Sequence, residues 1–271
     1  MTGIKKFFLA FFLILFFVIG TSIVLVKFFL PSKVLKNYAQ LWISEIIGGK
    51  TEIKEVSASF RGFILNNIKI IFPDKSDIVI KKVIISPIFF PLVRKQLTFN
   101  KIEIINPVIQ ITKGFNLNKK FVSPGYTLLI GELVVENGRI DWAKLDTITN
   151  LHGIIKNVSF NRSLPIQFSF NVNDIPAMLK AEYNFTKQQL RIQELVFNST
   201  KKNLAVTGII KKLFNLSEMS FNLYARGNGE LFNNIFLASL YKTKIVVFKK
   251  ANINLNIYGD LKNLEIKNEN H

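Results

Sequence analysis

The chain has 271 residues, with 36 lysines and arginines against 18 aspartates and glutamates, giving a formal net charge of +18. Hydrophobic residues make up 49% of it, which excludes an intrinsically disordered chain, and the absence of cysteine excludes disulfides and thiolate sites. The basic residues are scattered singly and in pairs without any nucleic-acid-binding motif, so we predict no nucleic-acid partner.

The first predicted element is a membrane anchor. Residues 7–26, FFLAFFLILFFVIGTSIVLV, contain no charge and have lysines on both sides. A helix with a rise of about 1.5 Å per residue would make this run about 30 Å long, the thickness of a bilayer's hydrocarbon core. The run is longer than the roughly 7–15 apolar residues of a signal peptide, so we predict an uncleaved anchor over 7–30 behind a short basic tail, 1–6. The lysines are nearly balanced, so charge leaves the orientation open.

An amphipathic helix is predicted over 31–49. Its apolar residues recur at helical spacing at Val34, Tyr38, Leu41, Trp42 and Ile46. Gly48-Gly49 then supplies the left-handed conformation that commonly ends a helix. Two interpretations remain open: the helix lies on the membrane surface with Trp42 at the interface, or it covers one end of the following domain.

The remainder, 50–271, is predicted to be a β domain. Apolar residues alternate with polar ones in many segments, most regularly over 166–172, 219–225 and 253–257. Strands with one apolar and one polar side are typical of an antiparallel sheet. The stretch from Gly114 to Gly125 is the least regular and predicts a long loop or a sub-domain boundary. One helical pattern, 230–241, interrupts the strands near the C-terminal end of the sequence.

No constellation of residues indicates catalysis. The two histidines, His152 and His271, cannot form a zinc site without carboxylate help. Several aspartates are dispersed among predicted turns, where this residue type is usually structural: Asp141, Asp146, Asp174 and Asp260. No phosphate-binding glycine loop or hydrolase motif occurs. We therefore predict that the protein is not an enzyme and uses neither metal nor cofactor.

The apolar sides of the strands need a cover. Leaving them in water would cost about 25 cal/mol for each Å² of apolar surface, and only two short helices are predicted to shield them. Three covers remain open: a second part of the same sheet, as in a closed sandwich or barrel; a partner protein; or the acyl chains of lipids. The choice among them decides what the protein does.

Four segments resemble sequences of the AsmA-like family. They are Gly48-Gly49 with TEIKEV at 51–56, IISPIFFPLVRKQLTFNKIEIINPVIQI at 84–111, LVVENGRIDW at 133–142 and IYGDLKNLEI at 257–266. The longest segment is similar to a family element in which a short hydrophobic turn leads to a basic residue and then to two strands. Together the segments follow the family's order along nearly the whole chain.

The resemblance implies a single-pass protein of the bacterial inner membrane with its β domain in the periplasm. Relatives of this family include TamB and the bridge-like lipid-transfer proteins, in which an elongated, curled antiparallel sheet forms an apolar groove for phospholipid acyl chains. The implied function is binding or transfer of phospholipid in cell-envelope and outer-membrane biogenesis. Because about 220 residues cannot span a periplasm, envelope proteins or further copies of the chain are expected as partners.

Nine alternating apolar residues are our candidates for the lipid-binding lining. They are Ile166, Phe168, Phe170, Val172, Phe221, Leu223, Ile253, Leu255 and Ile257. The alternative is an anchored structural or assembly factor of secretion or envelope machinery, closed into a β-sandwich and acting through protein contacts.

Overall fold

The structure is a computed structural model. It describes residues 32–59, 62–88, 96–112, 127–142, 146–159, 162–199, 202–213, 215, 217–237, 252–260 and 263–269. The predicted basic tail and membrane anchor lie outside these residues.

Thirteen strands form one sheet, and their order in the sheet is their order along the chain. They are β1 Lys50–Ser59, β2 Gly62–Ile71, β3 Asp77–Ile88, β4 Gln96–Ile111, β5 Thr127–Trp142, β6 Asp146–Val158, β7 Leu164–Val172, β8 Ile175–Asn184, β9 Gln189–Ser199, β10 Lys202–Lys211, β11 Ser220–Gly227, β12 Ile253–Asp260 and β13 Leu264–Asn268. The prediction of a mainly β fold is confirmed. β1 and β13 stand at the two edges and do not pair with each other, so the sheet is open.

The prediction of a wholly antiparallel sheet is wrong at one position, because β4 and β5 run parallel over their full length. A parallel pair needs a connection of a dozen or more residues to return to the start of the neighbouring strand. The chain between these strands, 112–126, is long enough for this and contains the irregular stretch from Gly114 to Gly125. The sheet is therefore mixed, with eleven antiparallel pairs beside this one.

An irregular seam crosses β1 to β6. On β1 the paired positions skip from Ile53 to Glu55, and corresponding skips follow on the next strands. Four asparagines near the skipped positions have a left-handed backbone: Asn67 (φ 52°), Asn106 (φ 50°), Asn137 (φ 53°) and Asn150 (φ 52°). Asparagine tolerates this conformation better than most residues. The seam shifts the buried positions on β1 from a spacing of two to a spacing of three, from Ile53 to Val56.

Two helical segments are described. Helix α1, Ser32–Ile47, matches the predicted amphipathic helix, and Gly48 ends it with φ 79° as expected. Its Leu35, Ala39 and Ile43 pack against buried residues of β1 to β3, so the helix covers one end of the sheet. Helix α2, Gly229–Phe232, continues as a π-helical turn, Asn233–Leu237, and begins where the second helical pattern was predicted. The rest of that pattern, 238–241, lies outside the described residues.

A hydrogen-bonded cluster joins the β2–β3 turn to the end of β4. Ser76 Oγ donates to Asp74 Oδ2 at 2.6 Å, and Thr112 Oγ1 donates to the same carboxylate oxygen at 2.7 Å. Ser76 Oγ also accepts from the Thr112 backbone N–H at 2.9 Å. Partial burial opposes ionisation of Asp74, but the hydrogen bonds from Ser76 and Thr112 outweigh it and lower the pKa of the carboxyl.

Candidate functional site

One face of the sheet carries uninterrupted rows of apolar residues across the strands. Directly paired residues of neighbouring strands point to the same face, so the register identifies each row. Row 1 runs from β1 to β12 through Val56, Leu65, Val83, Ile104, Val135, Gly153, Phe168, Leu179, Leu195, Val206, Ala225 and Leu255, and reaches Asn268 on β13. We call the face that contains row 1 the apolar face.

Row 2 lies beside row 1 and crosses all thirteen strands. It consists of Ala58, Phe63, Ile85, Ile102, Leu133, Ile155, Ile166, Ala181, Ile192, Gly208, Leu223, Ile257 and Ile266. Neither row contains an ionisable side chain. A surface of this composition can shelter hydrocarbon but offers almost nothing to a charged or strongly polar ligand.

The charged residues lie on the opposite face, where they form cross-strand pairs. Lys180 Nζ contacts Glu194 Oε2 at 2.9 Å between β8 and β9. On β4 to β6, Lys101, Glu132 and Lys156 are directly paired in register. These pairs are solvent-exposed or partly so and contribute little to stability, but they mark this face as the one that meets water.

Burial along row 1 differs between its ends and its middle. Val56, Leu65 and Val83 at one end are almost fully buried, as are Val206 and Leu255 at the other. The six residues contributed by β4 to β9, from Ile104 to Leu195, are only half-buried. The middle of row 1 therefore retains exposed hydrocarbon surface, while both of its ends are covered.

The covers of the two ends are helical. α1 places Leu35, Ala39 and Ile43 against the apolar face of β1 to β3. At the other end, Leu231, Phe232 and Ile235 of α2 and its π-helical turn join the cluster of buried residues from β7 to β12. The N-terminus of α2 is held by Asn228, whose side-chain oxygen accepts from the Leu231 backbone N–H at 3.0 Å.

All nine candidate lining residues lie on the apolar face, but they fall into two groups. Ile253, Leu255, Ile257, Leu223 and Val172 are buried, with exposed fractions from 0% to 8%, and form part of the packed cluster. The half-buried members are Ile166, Phe168, Phe170 and Phe221. Only this second group presents surface that a bound molecule could touch without repacking the end of the sheet.

Phe168 stands above a glycine of the neighbouring strand. A Cβ atom at Gly153 would come within 1.9 Å of Phe168 Cδ1, so the ring occupies the space that a side chain would fill. An aromatic ring that covers a cross-strand glycine is a recurrent way of shielding exposed sheet backbone. The ring therefore lies over the Gly153 backbone on the half-buried part of the face.

The nine candidates do not include the half-buried side chains that rows 1 and 2 contribute on β4 to β6. They are Ile102, Ile104, Leu133, Val135 and Ile155. Ile102 and Ile104 alternate with Lys101 and Glu103, so the signal was present on β4. It was obscured because neighbouring apolar residues, such as Val134, lie on the other face of the same strands.

The aspartates and the histidine considered for catalysis have ordinary structural surroundings. Asp141 accepts from Arg139 Nε at 2.9 Å, and Asp260 accepts from the Asn263 backbone N–H at 2.8 Å in a turn. Asp174 occupies a turn with φ 66°, and His152 is exposed on β6. Within the described part of the chain, no three histidine or acidic side chains lie close enough together to hold a metal ion.

None of the helices described between residues 32 and 269 has the length and apolarity required to cross a membrane. The uncharged run, 7–26, precedes the described residues. Searches with this chain match no family model, no curated protein and no solved structure.

Proposed function

We propose that this chain is a membrane-anchored β-groove protein that binds, and hands on, the acyl chains of phospholipids during cell-envelope and outer-membrane biogenesis. In this proposal residues 7–30 anchor it in the bacterial inner membrane and the β domain stands in the periplasm. The uncharged run and the resemblance to AsmA-like sequences support the location. The apolar face supports the cargo.

The observation that carries the proposal is the half-buried middle of row 1. It extends over β4 to β9, and five inter-strand spacings of about 4.8 Å make it about 24 Å long. One leaflet of a bilayer's hydrocarbon core is about 15 Å thick, so an acyl chain could lie along this stretch. Each methylene buried there would contribute about 0.8 kcal/mol to the free energy of binding. An uncharged surface obtains its affinity for a ligand in this way.

The test uses the full chain in vesicles and exploits its lack of cysteine. A bimane fluorophore is attached to Leu179→Cys, on the apolar face, or to Met178→Cys, on the opposite face. The two positions are adjacent, so their distances from the membrane are matched. Phospholipids with a nitroxide on the acyl chain should quench the fluorophore at position 179 and spare the one at 178. Equal quenching, or none at either position, would argue against acyl chains on the apolar face.

A second candidate, an assembly factor acting through protein contacts, is favoured by one observation. Val79 and Ile154 lie on the face opposite to row 1 and are 40% and 45% exposed. A protein partner would cover such side chains, whereas acyl chains held on the apolar face would leave them in water. Ile154→Glu should abolish the function if the partner binds there. The lipid proposal expects the Ile154→Glu protein to remain active.

A further inference from the structure

A mostly polar cavity of about 470 Å³ lies between α1 and the first two strands, at the β1 edge of the sheet. One turn of α1 contributes Lys36, Asn37 and Gln40. β1 contributes Glu52, Lys54 and one apolar residue, Ile53, and the facing residues of β2 are Asn67 and Lys69. The volume falls within the range of about 300–1,000 Å³ that is typical of small-molecule sites.

The cavity has an excess of positive charge. Three lysines line it against a single carboxylate, Glu52, and Lys50 Nζ forms an ion pair with that carboxylate at 3.0 Å. The hydrogen bond and charge of Lys50, with a smaller contribution from Lys69, lower the pKa of Glu52. Lys36 and Lys54 form no ion pair with any residue in the described ranges. Gathered lysines repel one another unless an anion lies among them.

The seam of the sheet explains why Lys54 reaches the cavity. Lys54 occupies the position that the β1–β2 register skips, and Asn67 on the facing strand has φ 52°. This irregularity turns Lys54 and Glu55 to the same side of the sheet, away from the buried Ile53 and Val56. On the helix side, Gln40 Nε2 donates to the Thr51 carbonyl at 3.2 Å and fixes α1 against the strand.

We propose that this cavity binds an anionic phosphate group, and that its source is a phospholipid headgroup at the membrane surface. Lysine ammonium groups bind phosphate as point charges, and the carboxamides of Asn37 and Asn67 add hydrogen-bond donors. The predicted anchor ends two residues before α1 begins, and Lys36 lies only about 6 Å of helix rise beyond Ser32. The proposal rests on the membrane anchor of the proposed function, but not on whether the apolar face carries lipid.

The exposed side of α1 supports a membrane source over a free solute. Val34, Tyr38 and Leu41 form a stripe at helical spacing with exposed fractions of 37%, 69% and 69%. The other apolar side of the helix is already used against the sheet. A stripe of this kind beside lysines suits the boundary between headgroups and acyl chains. Each basic residue near anionic lipid contributes about 1 kcal/mol to the free energy of membrane binding.

The test is lysine footprinting of the full chain in mild detergent. Acetylation rates are measured by mass spectrometry with dihexanoyl phosphatidylglycerol, with inorganic phosphate, or with dihexanoyl glycerol, which lacks phosphate. A ligand at three times its dissociation constant should slow acetylation of Lys36, Lys54 and Lys69 roughly fourfold. Lys187, exposed in the turn between β8 and β9, and Lys211, exposed on β10, should be unaffected.

The three arms separate the sources of phosphate. Protection by the phospholipid alone identifies the headgroup, and equal protection by inorganic phosphate identifies a phosphate site that is not lipid-specific. Protection by dihexanoyl glycerol, or protection at none of the three lysines, would overturn the proposal.

Paired variants provide the matched control. Lys54→Gln with Lys69→Gln removes two exposed charges from the cavity, and Lys187→Gln with Lys211→Gln removes two exposed charges elsewhere. Protection of Lys36 should disappear in the first protein and persist in the second. If Lys36 stays protected in both, the ligand is not held by the cavity.

Discussion

At the scale of single residues, the asparagines of the seam have a conformational role that can be measured. Asn137 is exposed and has φ 53°, so its side chain contributes little packing and its backbone conformation dominates. Asn137→Ala should lower the free energy of unfolding by about 1 kcal/mol, because an alanine is strained in this region. Asn137→Gly should leave it nearly unchanged, since glycine adopts the conformation freely. Urea unfolding measures both, and equal losses would contradict the assignment.

The seam is visible in the sequence as a change in the spacing of the apolar residues. On β3, Ile78 and Ile80 are followed by Val83 and Ile85, and the step of three across the lysine pair marks the skipped position. Strict alternation holds on β7, β11 and β12, which is why the sequence identified the apolar residues of these three strands most clearly. The alternation of apolar and polar residues could not predict which apolar side chains are buried, because burial depends on which strands α1 and α2 cover. Leu255 and Phe168 show the same alternation, yet one is sealed and the other half-buried.

At the scale of elements, helix α1 was predictable from both its apolar spacing and its terminating glycine. Which of its sides meets the sheet was not, because two apolar stripes occur on it: Leu35, Ala39 and Ile43 pack inward, and Val34, Tyr38 and Leu41 remain exposed. The parallel pairing of β4 and β5 could not be predicted from the sequence either. A long irregular segment is equally compatible with a loop, a sub-domain boundary or a crossover.

The turn between β2 and β3 should make stability depend on pH. The pKa of Asp74 is lower in the folded chain than the unfolded value of about 3.9, so its contribution is fully present above that value and is lost as the pH falls through the folded pKa. Asp74→Asn removes this titration. The stability difference between the parent and Asp74→Asn proteins should be constant from pH 7 to about pH 5 and shrink below about pH 4.

The measurement is urea unfolding of both proteins across that range. Ser163→Ala, which removes the hydroxyl that accepts a hydrogen bond from the Asn184 side chain, serves as a control without a carboxylate. A difference that stays constant down to pH 3 would show that the Ser76 and Thr112 bonds do not favour the ionised form of Asp74.

At the scale of the whole molecule, the open middle of the sheet predicts a gradient of accessibility. The chain contains no cysteine, so single cysteines report on one position each. Met178→Cys, 43% exposed, should react rapidly with a maleimide, Leu179→Cys more slowly, and Leu204→Cys, at 0% exposure, only on unfolding. Reaction rates followed by mass spectrometry test this order. If Leu179→Cys is as unreactive as Leu204→Cys, the face is sealed along its whole length.

The most direct test of acyl chains on the apolar face is photo-cross-linking in living cells. Benzoylphenylalanine replaces Phe168, on the half-buried part of that face, or Gln167, its exposed neighbour on the opposite face. After irradiation and purification of the full chain, mass spectrometry should find phospholipid covalently attached at position 168 and none at 167. Phospholipid equally at both positions, or protein adducts alone at 168, would contradict lipid carriage.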